Sequence, residues 1–200
     1  MYTFEEALWQ EGFREVAGID EAGRGPLAGP VVAGAVILPH TPRFEDIRDS
    51  KALTPRQRDK FYNLIKQAAW GIGVGMVDER EIDRINIYQA TKLAMQAALA
   101  ALSAPPQFVL IDGLAPLGTN IPSRCVVRGD TRSASIAAAS IIAKVTRDRL
   151  MLDYHATYPE YGFDRHKGYP TSFHLRALAQ HGPSPIHRVS FRPVRERCLV

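Results

Sequence analysis

Cysteine is nearly missing from this sequence: Cys125 and Cys198 stand alone, far apart and in no spacing that suits a metal. Two lone cysteines exclude a disulfide scaffold and fit a reducing compartment, so a cytoplasmic protein is expected. Long hydrophobic runs are missing too. The longest, Val31 to Leu38 (VVAGAVIL), has the length of a strand and falls far short of a membrane span. The opening MYTFEEALWQEGFREV places Glu5, Glu6 and Glu11 where a secretion signal needs an apolar core, so neither a signal peptide nor a membrane association is expected. Several site signatures are absent as well. Gly23, Gly25 and Gly29 miss the dinucleotide pattern GxGxxG, whose last glycine falls on Ala28, and no GK[ST] marks a P-loop. His166, His174, His181 and His187 crowd the C-terminal region but match no zinc motif such as HExxH, which leaves them structural or on the surface.

A core is affordable all the same. Hydrophobic residues make up 46% of the 200 positions, too many for a disordered chain and enough for one compact unit. Apolar runs at 15–20, 30–38, 70–77, 108–111 and 125–127 read as strands. The run WGIGVGMV alternates glycine with apolar residues and predicts a close neighbour on its glycine face. Thr54-Pro55 reads as a cap followed by proline in the first helical turn, residues 78–102 as a helix broken near Asn86, ASIAAASIIAKVTRDRL as a helix of small residues, and 172–180 as another helix. Strands in succession, followed by strand and helix in alternation, predict an α/β fold with a mixed sheet. Charge is uneven: from Tyr161 to Val200 there are seven Lys or Arg against two acids, although the whole chain is only +4. A polyanion partner fits this basic end, and so does an ordinary solvated surface.

Three strands end in acid: Ile19-Asp20 (with Glu21 beside it), Ile111-Asp112, and Val127-Arg128-Gly129-Asp130. Ligands of such sheets gather beyond the strand ends. Gathered there, Asp20, Glu21, Asp112 and Asp130 would repel one another unless divalent cations lay between them. Oxygen ligands without clustered His or Cys favour magnesium or manganese over zinc. Taken singly, each acid could equally cap a turn. The glycines around Arg24 have the same two readings: a tight turn, or a loop whose amides come close to a sugar-phosphate while Arg24 adds charge. Tyr158, Tyr161, Tyr169 and Phe173 could pack locally, or one could stack on a sugar or base.

IDEAGRGPLAGPVV, DSK at 49–51, LIDG at 110–113, RGDTRSASIAAASIIAKVTRDR at 128–149 and YGFDRHKGYPT at 161–171 together make the chain resemble bacterial ribonuclease HII, from about Val16 to Pro193. Arg128 and Ala52 stand where that family usually has lysines. The resemblance implies a ribonuclease H-like fold: a five-stranded mixed sheet flanked by helices, with a catalytic domain over 1–155 and a small, basic helical region over 156–200 packed on it. It also implies that Asp20, Glu21, Asp112 and Asp130 are catalytic acids binding Mn2+ or Mg2+. By the same resemblance Gly23, Arg24 and Gly25 would read a 2′-hydroxyl, Tyr169 would meet the RNA–DNA junction, and Lys51, Thr131, Arg132 and Ser133 would touch phosphates.

The implied reaction is endonucleolytic hydrolysis of RNA in RNA–DNA hybrids, and incision 5′ to single ribonucleotides in duplex DNA as in ribonucleotide excision repair. The products would carry 5′-phosphate and 3′-hydroxyl ends, and the protein would act as a cytoplasmic monomer. Two rivals stay open on the residues alone. One is another acid-rich nuclease or strand-transfer enzyme. The other is a non-catalytic hybrid-binding module whose acids merely cap turns.

Overall fold

The computed structural model describes residues 1–41, 44, 47 and 53–198. After helix α1 (Thr3–Gln10) come strands β1 (Val16–Ala22) and β2 (Val31–Ile37), helix α2 (Pro55–Ala68), strand β3 (Gly71–Val77), helix α3 (Glu79–Ala100) and strands β4 (Phe108–Asp112) and β5 (Ser123–Val126). A short 3-10 turn at Gly129–Thr131 leads into α4 (Ala134–Thr157). The small helices α5 (Phe163–His166), α6 (Ser172–His181) and α7 (Arg192–Cys198) follow. The five strands form one sheet in the order β3-β2-β1-β4-β5. β1 pairs antiparallel with β2, and β2 with β3. β1 and β4, and β4 and β5, run parallel. The sheet is mixed, as the order of elements predicted.

Alternation along β1 decides what each face holds. Ala17 and Ile19 join Ala33, Ala35, Val109 and Ile111 in a core with the inner side of α3. On the other face α4 lies so close that a Cβ on Gly18 would sit 2.1 Å from the Ser135 carbonyl carbon, and one on Gly34 would sit 2.5 Å from the Ala139 oxygen. The run of small residues in α4 is what permits this approach. The glycine face of β3 works likewise against α3, with Cβ positions at Gly73 and Gly75 falling 2.0 and 2.1 Å from the Ala98 and Ala94 carbonyl oxygens.

α2 starts at the expected cap: the Thr54 hydroxyl accepts from Gln57 N, and Gln57 returns a bond to the Thr54 amide. α3 breaks at Asn86, where φ is 69° and ψ 162°. A third core joins the C-terminal helices to the loop after β1, through Leu27, Ala28, Met151, Tyr161, Phe163, Leu178 and Val194. That loop is therefore sandwiched between the sheet and the C-terminal region. Among the described residues, no helix is long and apolar enough to cross a membrane.

Candidate active site

The parallel pairing of β1 with β4 ends at Ile19 opposite Ile111, so the next residues, Asp20 and Asp112, are neighbours at the carboxyl edge of the sheet. Asp20 is buried, and Oδ1 accepts the Glu21 amide at 2.7 Å. Oδ2 is buried with no hydrogen-bond partner. Burial, first, and the negative charges of Glu21 and Asp112 push the Asp20 carboxyl well above its ordinary range, with the Ser140 hydroxyl and the Glu21 amide pulling the other way. A cation beside it would relieve that stress. Glu21, one residue on, belongs to the opposite face of the pleat and forms an ion pair with Arg24 at 3.2 Å.

Asp112 is held by the chain that carries the fourth acid. Gly129 N donates to Asp112 Oδ1 at 2.6 Å, and Asp130 follows, largely buried. Arg128, in the left-handed region at φ 53°, turns the backbone into this position. The structure thus brings Asp20, Glu21 and Asp112 together and puts Asp130 beside the amide that fixes Asp112. Among the described residues, no three of these acids already converge as ligands of one point.

Next to the acids is a cavity of about 200 Å³ lined by Glu21, Gly23, Arg24, Gly25, Ser140, Lys144 and Tyr169. The two loop glycines have different duties. Gly23 (φ 98°) backs onto the protein, since a Cβ there would strike Arg147 Nε at 2.2 Å. Gly25 faces the Tyr169 ring, with its Cβ position 3.5 Å from that ring. Two buried guanidiniums hold this loop through main-chain carbonyls. Arg147 donates to Pro30 O, Ala28 O and Lys167 O, each at 3.0 Å. Arg188 donates to Gly23 O at 2.7 Å, Arg24 O at 3.1 Å and Gly29 O at 2.7 and 2.9 Å. Burial pulls them down to about 10 and about 9 respectively, so both stay charged at neutral pH.

Tyr169 is anchored by histidines. Ser184 N donates to His187 Nδ1 at 2.9 Å, which places the proton of neutral His187 on Nε2. That nitrogen lies 3.0 Å from His174 Nε2, while His174 Nδ1 faces the Tyr169 carbonyl at 2.9 Å and so must be the donor there. The relay closes only with both rings neutral. Burial keeps them so, pushing His174 down to about 4 and His187 to about 3.

The profile of the ribonuclease HII family matches residues 17–194. The chain belongs to the ribonuclease HII family. It is 54% identical over 196 residues to the ribonuclease HII of Geobacter sulfurreducens, covering 98% of this chain and 90% of that protein. Ribonuclease HII of Chlamydia trachomatis serovar L2 is 55% identical over 194 residues, covering 96% and 89%. The crystal structure of ribonuclease H2 from Pyrococcus horikoshii OT3 matches with a TM-score of 0.75 at 31% identity, over 91% of this chain and 96% of that one. Bst-RNase HIII, solved in complex with Mn2+, shares the fold at a TM-score of 0.70 and 20% identity, over 96% and 72%. This chain is therefore a ribonuclease H enzyme, with the RNA of RNA–DNA hybrids as its substrate class.

The expected phosphate contacts of the enzyme fare unevenly. Lys51, like Ala52, lies outside the described residues. Thr131 and Arg132 are exposed, with Thr131 Oγ1 bonded to Arg128 O and the Arg132 guanidinium over the Phe4 ring. Ser133 is fully buried. Its hydroxyl donates to Glu5 Oε1 at 2.6 Å and accepts the Ile136 amide at the start of α4. Arg188, part of the basic end in the sequence, is likewise internal. Lys144 and Arg147 were not picked out from the sequence, Arg188 was read only as part of the basic end, and His174 and His187 were left as structural or surface histidines without their pairing. Ser140, Lys144, Arg147 and Met151 recur at helical spacing and could have been read as one face of α4. Nothing local marks Arg188.

Proposed function

We propose that the enzyme hydrolyses RNA phosphodiesters with the help of divalent cations, both within RNA–DNA hybrids and on the 5′ side of a single ribonucleotide embedded in duplex DNA. Its products carry 5′-phosphate and 3′-hydroxyl ends. The observation that carries the reading is the shared wall: Glu21, beside the buried Asp20 carboxylate whose Oδ2 has no hydrogen-bond partner, also lines the cavity of Gly25 and Tyr169. A phosphodiester at the acids leaves the adjoining ribose in that cavity.

Asp20, Glu21, Asp112 and Asp130 would hold magnesium or manganese, since their donors are all hard oxygens and the charge stress on Asp20 is of the kind a cation relieves. When bound, such ions bring water closer to deprotonation at neutral pH and stabilise charge on the attacking and leaving oxygens. The rest falls to this chain's own groups. Backbone at Gly23–Gly25 approaches the ribose 2′-hydroxyl, a group DNA lacks. Arg24 Nη1 donates to Glu21 Oε1 and orients that carboxylate. Tyr169, 44% exposed, offers its ring to the sugar that follows the ribonucleotide. We place this activity in ribonucleotide excision in the cytoplasm, carried out by a monomer.

The test is Asp112→Asn, assayed on a labelled hybrid across magnesium and manganese concentrations, with binding measured in parallel. Loss of a preorganised electrostatic contact costs roughly 10²–10³ in rate, so turnover should fall by at least that while binding persists. Rates near wild type at any metal concentration would sink the assignment.

A further inference from the structure

Two cavities flank the acids on opposite faces of the sheet. The one containing Gly25 and Tyr169 is backed by Ser140 and Lys144 of α4. The second, of about 360 Å³, is walled by Tyr88, Lys92 and Met95 of α3 and by Leu114 and Leu117 of the loop after β4. α3 and α4 cover opposite faces of the sheet. Glu21 and Arg24 border both cavities, and Asp112 borders the second. The two cavities therefore adjoin at Glu21 and Arg24, at the carboxyl edge of the sheet.

We infer that the second cavity binds the nucleotide on the 5′ side of the cut, its base stacked on Tyr88 and its backbone beside Lys92. This rests on the proposed function, which assigns the Gly25–Tyr169 cavity to the nucleotides 3′ of the cut and leaves the 5′ side for this one. The chemistry of the walls fits a nucleotide. Tyr88 is 47% exposed and Leu114 82% exposed, so large apolar surfaces stand open beside a cluster of acids. Lys92 Nζ lies over the Tyr88 ring, 6.0 Å from its centroid, so one face of the ring carries a cation and the other is left for a base. Inside a duplex both faces of a base are already stacked, so docking on Tyr88 requires local unstacking at the cut, and any base so freed offers a flat face whatever the sequence.

The position of Tyr88 is itself constructed. Asn86 adopts φ 69° and ψ 162°, a region nearly confined to glycine. Its Oδ1 accepts the Tyr88 and Gln89 amides at 3.0 and 3.1 Å, restarting α3 as a cap would. The break sets Tyr88 at the rim of the cavity, and strain of this kind is kept where it serves a site.

The test compares wild type, Tyr88→Ala and Tyr88→Phe on duplexes with one ribonucleotide. One duplex is intact, one is abasic at the nucleotide immediately 5′ of the cut, and one is abasic two nucleotides 3′ of the ribonucleotide. Tyr88→Ala should raise KM roughly tenfold on the intact duplex with kcat little changed, the size expected for one lost stacking contact. Tyr88→Phe should restore it. The 5′ abasic lesion should cost wild type a similar factor and make Tyr88→Ala silent, whereas the 3′ lesion should leave the Tyr88 effect whole. An unchanged KM in Tyr88→Ala, or the same penalty on the 5′-abasic and intact duplexes, would overturn the subsite alone. A wild-type enzyme that leaves the lone ribonucleotide uncut would overturn the proposed function, and this inference with it.

Discussion

Asp20 is a residue that the fold tolerates at a cost. Its carboxyl titrates above the ordinary value of 3.8 because burial and two neighbouring acids oppose its charge. Below 3.8 the group is protonated in the folded and unfolded chains alike and nothing is lost. As pH rises past that value the unfolded chain ionises first, and stability falls until the folded-state pKa is passed. Asp20→Asn should therefore raise the urea midpoint at pH 7 in the presence of a chelator, with the gain gone by about pH 3.5, while activity collapses. A variant less stable than wild type at pH 7 would show that Asp20 is stabilised by contacts rather than stressed. Gly23 and Gly25 differ at the same scale. Substitution at Gly23 meets Arg147 and a left-handed backbone and should damage the fold, whereas Gly25 has room for a Cβ and should affect the site alone.

Among the elements, the loop after β1 depends most on groups far away in sequence. Arg188 reaches Gly23, Arg24 and Gly29 with a planar fork, and a lysine ammonium cannot reproduce that geometry. Arg188→Lys should leave buried carbonyls short of donors, costing about 1–3 kcal/mol in urea unfolding, and should weaken lone-ribonucleotide cutting through KM. Wild-type stability and KM together would remove the clamp from the account of the loop. This contact also marks where reading the sequence stopped. Strands, the α3 break and the small-residue helix were legible, because period, glycine and capping act over a few residues. The acids of β1 and β4 were legible for the same reason, each ending an apolar run, although β1 runs on past Asp20 to Ala22. The basic C-terminal stretch read as surface charge, since nothing near Arg188 distinguishes a guanidinium aimed at solvent from one aimed at carbonyls some 160 positions away. The burial of Ser133 is hidden in the same way: its hydroxyl is paired with Glu5, 128 residues distant.

Across the whole molecule, charge is divided between internal scaffolding and the outer surface. With Arg147 and Arg188 buried, the exposed cations include Arg149 and Arg165, which line a groove of about 680 Å³ with Arg58 and Lys167 and with Asp59, Asp148 and Asp164. Asp59 pairs with Arg149 at 3.5 Å and Asp164 with Arg165 at 4.0 Å. Lys144 belongs to both this groove and the Gly25–Tyr169 cavity. Hybrid binding should lose about 0.9 in log K per log salt for each phosphate neutralised. Arg149→Gln with Arg165→Gln should flatten that slope by about 1–2, and an unchanged slope would show that the duplex takes another route. The central claim joins the acids to the Gly25–Tyr169 cavity, and it is tested most directly by incision rates on three labelled duplexes: one ribonucleotide in DNA, a long RNA–DNA hybrid, and DNA alone. A site that hydrogen-bonds the 2′-hydroxyl rejects its absence by roughly 10⁴–10⁵. The expected result is cutting on the 5′ side of the lone ribonucleotide, none in DNA, and a Tyr169→Ala variant slowed more on the lone ribonucleotide than on the hybrid. Efficient cutting of the hybrid with the lone ribonucleotide left intact would contradict it.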